Sequence, residues 1–184
     1  MAISPQKRQE ILDAVRRGTV PSNNLDTFAV GLDRFESTLE DELQNVGAGG
    51  SVFKAVRGEY GCGKTFFARW FAARARKAGF ATAEVQISET ETPLHRIETV
   101  YRRFMERLAT ADTPHGALRN IVDAWFFTLE EDVLAEGTIA GSDEEKLLQR
   151  TNELLEQRLA IVTRTSPVFS GALRGYRQAL NRTT

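Results

Sequence analysis

Residues 58–65 read Gly58-Glu59-Tyr60-Gly61-Cys62-Gly63-Lys64-Thr65. This is the GxxxxGK[ST] spacing of a loop that holds a polyphosphate. Gly58, Gly61 and Gly63 carry no Cβ, so the backbone can take positive φ and approach phosphate oxygens closely. Their successive N–H groups then form an anion nest, reinforced by the positive end of a helix predicted to start at Lys64. The phosphate-binding set is therefore Gly58, Glu59, Tyr60, Gly61, Cys62, Gly63, Lys64, Thr65 and Phe66. Lys64 supplies a mobile point charge to the β- and γ-phosphates and is the residue read as catalytic. The Thr65 hydroxyl is the candidate Mg²⁺ ligand. In a chain with 14 glycines, a chance match has odds on the order of 4 in 1,000.

Two residues of the loop are chemically unusual. Glu59 puts a carboxylate beside a polyanion, so it is expected to face water or Arg57. Cys62 is either a small filler among the amides or a reactive thiol, since a helix N-terminus favours the thiolate. Hydrolysis needs more than this loop: a second Mg²⁺-linked carboxylate and a group that orients water. Trp125-Phe126-Phe127-Thr128-Leu129-Glu130-Glu131-Asp132 is an apolar run ending in acids. Its period of 3.6 predicts an amphipathic helix with the acids on the wet face, not a catalytic strand. Asp143-Glu144-Glu145 reads as a first helical turn capped by Ser142. Arg69, Arg74, Arg76 and Lys77 form one basic cluster, and Arg96, Arg102, Arg103 and Arg107 another. Each is a solvated helix face or a phosphate-contacting surface. His95 and His115 are expected at helix starts or on the surface.

The elements that must position the loop follow from periodicity and punctuation. Ser4-Pro5 opens a helix that Gly18 stops. A second helix runs from Asp33 to Val46, with Phe35, Leu39, Leu43 and Val46 on one face. Residues 51–58 predict a short apolar strand, residues 64–79 a helix with Phe67, Trp70 and Phe71 inward, and residues 80–88 a second strand. Strand, loop, helix, strand is a βαβ unit, and it implies a parallel sheet. Residues 94–109, 115–136, 143–163 and 167–181 all follow the helical period. The reading is thus an α/β P-loop NTPase fold: an N-terminal helical segment (1–50), a nucleotide-binding core (51–110) and a helical insert or lid (111–184). Two parallel strands cannot bury both faces, so the sheet is expected to be incomplete and the chain to be the N-terminal part of a longer one.

The 184 residues carry 24 Lys+Arg against 25 Asp+Glu, for a net charge of −1. That excludes a strongly basic domain, though not a local basic face. One Cys excludes an internal disulfide or a multi-Cys zinc site. No apolar run is long enough for a membrane span, so a cytoplasmic protein without membrane contact is expected.

GLDRFESTLEDEL, the GEYGCGKTFF loop, AGFATAEVQIS and PLHRIETVYRRF together resemble the BREX-type phage-defence ATP-binding proteins, in particular the BrxD-like group. These are a branch of AAA+-like P-loop ATPases, and the likeness covers about residues 25–110. The resemblance implies ATP with Mg²⁺ at the loop and an ATPase whose second carboxylate motif follows a helical region. It also implies double-stranded DNA contacted through regions beyond this chain, other defence-system proteins as partners, a homo-oligomer, and a segment around Gly31 to Phe35 near the adenine. Two alternatives stand beside it. One is a nucleotide-gated scaffold with negligible turnover; the other is a small-molecule kinase, which also joins a phosphate loop to helical lids.

Overall fold

The computed structural model describes residues 4–21, 24–137 and 143–180. The chain divides into two units, Met1–Ala117 and Leu118–Thr184.

In the first unit, α1 spans Pro5–Arg16, and Gly18 takes φ +65° just beyond it, as a left-handed helix stop requires. A single 3₁₀ turn, Leu25–Phe28, follows, then α2, Asp33–Gly47. Helix α3, Lys64–Lys77, begins at the residue the loop motif dictates. Trp70 is 1% exposed and forms the core with Leu25 and Leu39. Phe66, Phe67 and Phe71 pack around that core. A buried indole N–H needs an acceptor, and Trp70 Nε1 donates to Asp26 Oδ1 at 3.1 Å. The basic side of α3 is paired with acids at its surface. Arg74 bonds Glu36 at 2.7 Å and Glu40 at 3.2 Å, Lys77 bonds Asp26 at 2.8 Å, and Arg69 bonds Glu84 at 3.0 Å. Arg76 donates to the Thr82 hydroxyl at 2.9 Å.

The expected parallel sheet does not form. Residues 51–59 adopt no regular structure and are exposed throughout, with Phe53 at 93%. Of the second predicted strand only β1, Thr82–Ala83, is regular. It pairs antiparallel with β2, Leu108–Ala109, in the register Thr82↔Ala109 and Ala83↔Leu108. The described chain is mostly helical, and the AAA+-like α/β fold is corrected accordingly. The physical reason is that strand propensity states only what would fit a pleated surface. That surface must be supplied by partner backbone, and no backbone hydrogen bond pairs residues 51–57 among the described residues. Residues 108 and 109, expected to end a helix, leave it and pair with β1 instead. The helix before them is α4, Ile97–Glu106, and none of its residues is buried.

The second unit is α5 (Leu118–Ala135), α6 (Glu144–Thr165) and α7 (Pro167–Leu180). Phe126, Leu129, Leu155, Leu159 and Leu173 form its core. The Trp125–Asp132 run lies wholly inside α5, so the helical reading holds and the catalytic-strand alternative does not. Arg177, 8% exposed, bonds Glu130 and lies 5.4 Å over the Phe126 ring. Arg174 bonds Glu156 at 2.6 Å and Arg150 bonds Glu136 at 3.0 Å. The Ser142 cap falls outside the described residues; Asp143 itself accepts the Lys146 N–H at 3.3 Å as the α6 N-cap. No described helix is long and apolar enough to cross a membrane.

Candidate functional site

Residues 58–66 form one tight bend feeding the start of α3. Gly61 and Gly63 take φ +83° and +92°, and Gly63 is the α3 N-cap. Both values lie in the left-handed region where a side chain would be strained. Gly58 is needed for a different reason. A Cβ placed on it would come within 2.5 Å of Cys62 Sγ, so the bare position leaves room for the thiol where it lies. The Cys62 N–H reaches back to the Glu59 carbonyl at 3.4 Å to make the turn.

The first hydrogen bond of α3 is Phe67 N–H to the Gly63 carbonyl, 2.9 Å. The amides of Gly63, Lys64, Thr65 and Phe66 therefore have no acceptor within the helix, as at any helix start. Among the described residues no turn or loop carbonyl takes them, nor the Gly61 amide. Five N–H groups at or just before the N-terminus of a 14-residue helix thus lack a backbone acceptor among the described residues, and a helix N-terminus favours an oxyanion.

Lys64 crosses the loop. Its Nζ donates to the carbonyls of Gly58 (2.9 Å) and Glu59 (2.7 Å) and lies 3.9 Å from Cys62 Sγ. The ammonium is tethered by two backbone oxygens, and its third donor meets only the weak thiol acceptor of Cys62. Residue types could not reveal this tether, since every residue carries a carbonyl. Thr65 is exposed and its hydroxyl makes no hydrogen bond among the described residues. Phe66 contributes its amide to the loop and its ring to the core around Trp70, anchoring the bend to the unit. Tyr60 is wholly exposed at the crest. The Glu59 carboxylate forms no ion pair among the described residues, so the suggested Arg57 partnership is not made and the water-facing alternative holds. Cys62 is exposed, the single free thiol. Phe35, from the segment expected near a base, lies edge-on to Phe67 at 5.9 Å, one turn beyond Lys64.

The bare glycines, the open amides, the tethered ammonium and the exposed hydroxyl suit a nucleoside triphosphate with its magnesium ion. Among the described residues no group of three or more His, Cys, Asp or Glu could hold a metal by itself. The described chain is helix-rich, with a GxxxxGK[ST] loop at a helix start. It belongs to the family described as BREX system ATP-binding protein BrxC/D, which matches residues 3–184. The resemblance carried by residues 25–110 therefore extends over the helical second unit as well. Comparison with curated proteins and with solved structures gives no match.

Proposed function

We propose that loop 58–66 is where this BREX ATP-binding chain holds ATP and Mg²⁺, and that the chain serves as an ATP-hydrolysing module acting with DNA. The observation that carries this reading is that the amides of Gly61, Gly63, Lys64, Thr65 and Phe66 take no backbone acceptor among the described residues, in the same loop whose carbonyls hold the Lys64 ammonium. The amides of Gly61, Gly63, Lys64, Thr65 and Phe66 bind phosphate oxygens, and the helix dipole adds to their field. Lys64, already anchored to two carbonyls, presents its remaining N–H to the terminal phosphates. The Thr65 hydroxyl holds the metal. Bound Mg²⁺ would neutralise the charge shared by the β- and γ-oxygens. Calorimetry with Mg-ATP on wild type and Lys64→Ala tests it: a loss of affinity of about tenfold or more is expected, as for one charge-assisted contact of about 1.4 kcal/mol. Equal affinity overturns the reading.

A second reading, a nucleotide-gated scaffold with negligible turnover, is favoured by one observation. The acids of the Trp125–Asp132 run are engaged on α5: Glu130 bonds Arg177 and Asp132 lies 3.7 Å from Arg158. Steady-state phosphate release with and without DNA separates the two. Sustained, stimulated turnover eliminates the scaffold; its absence alongside intact ATP binding favours it.

A further inference from the structure

Of the two arginine clusters, one is consumed by its own fold. On α3, Arg69, Arg74 and Lys77 are ion-paired and Arg76 is bonded to Thr82. On and beside α4 the situation differs. Among the described residues Arg96, Arg102 and Arg107 enter no ion pair, and only Arg103 does, with Glu106 at 3.2 Å. The other acid of this helix is Glu98, so residues 96–107 carry four arginines against two glutamates. The same helix leaves its apolar stripe uncovered: Ile97 is 74% exposed, Tyr101 55% and Phe104 42%. Tyr101 and Phe104, three residues apart, are neighbours on the helix surface.

We propose that α4 is a docking surface for single-stranded nucleic acid. Two adjacent exposed rings offer stacking faces to successive bases, and the flanking Arg96, Arg102 and Arg107 meet the phosphates between them. Charge and apolarity point to the same occupant. A duplex presents phosphates but buries its base faces, and would leave both rings wet. An apolar protein groove would cover the rings but would need a carboxylate rim for the arginines. This inference deepens the DNA part of the proposed function and rests on that part only, not on the nucleotide loop.

Fluorescence anisotropy of labelled oligo-dT and oligo-rU of about 15 nucleotides, with a duplex of equal length, tests it on the whole chain. Both single strands bind more tightly than the duplex, which reports the base faces rather than the sugar. The slope of log K against log salt is about −2 for three phosphate contacts at roughly 0.7 each. Tyr101→Ala weakens oligo-dT binding by about tenfold. Arg102→Ala flattens the salt slope by roughly 0.7, and Arg69→Ala on α3 changes nothing. Circular dichroism confirms that each variant folds. Duplex bound as tightly as single strands overturns the proposal, as does Tyr101→Ala binding like wild type. So does a chain that binds no oligonucleotide but self-associates through α4. Lys64→Ala separates the two readings. If it loses ATP but keeps oligo-dT, both stand; if wild type holds ATP but no oligonucleotide, only this inference falls.

Discussion

Gly58 and Cys62 are coupled by a single contact, and the coupling is testable. Gly58→Ala places a methyl 2.5 Å from the Cys62 sulfur but 3.8 Å from its Cβ. The single variant should therefore displace the Cys62 thiol into the loop's surroundings and lower Mg-ATP affinity, with the unfolding midpoint little changed because the loop is exposed. Adding Cys62→Ala removes the sulfur, and the double variant should regain most of the affinity. Calorimetry on the four-member cycle reads the interaction directly. Asp26 gives a second residue-scale prediction. The bond from the Lys77 ammonium, helped by the Trp70 indole, holds its carboxyl below the usual carboxylate range. A depressed folded value stabilises the native state above the unfolded value of about 3.9. That contribution is lost as pH falls through the lower folded value. Asp26→Asn should flatten this acid limb of stability, measured by urea unfolding across pH 2 to 6 (roughly the span of carboxylate titration).

At the scale of elements, α3 ties the loop to the core through Trp70. Removing this fully buried ring by Trp70→Ala should cost about 3–5 kcal/mol in urea unfolding, and Trp70→Phe about 1 kcal/mol, chiefly for the hydrogen bond to Asp26. The unpaired segment before the loop makes the opposite prediction. The amides of residues 51–57 have no backbone acceptor among the described residues, so they should exchange with solvent at nearly unprotected rates while those of mid-α3 are slowed. Protection across 51–57 would restore the strand. The helices were legible because each carries its signal locally: Pro5 after Ser4, Phe67-Trp70-Phe71 on one stripe, Gly79 at φ +88° after α3. The strands misled because Val52, Phe53 and Val56 have the residue types of a strand, while the hydrogen bonds that would make one lie on other backbone.

Across the whole molecule, the near-neutral charge of −1 conceals an uneven distribution that only the fold exposes. Sequence spacing put two basic clusters on equal terms; tertiary contacts engage all four α3 cations, whereas Arg96, Arg102 and Arg107 of the α4 cluster enter no ion pair among the described residues. The order of residues alone determined the GxxxxGK[ST] spacing, the helix that starts at Lys64 and the helical character of the acidic run in α5. Each depends on interactions within a few residues, where spacing dictates geometry. Tertiary structure alone decided that Thr82–Ala83 pairs with Leu108–Ala109, that Lys64 is tethered by the Gly58 and Glu59 carbonyls, and that Asp26 serves both Trp70 and Lys77. Those contacts join atoms distant along the chain, or backbone atoms common to every residue, and neither leaves a mark in residue type.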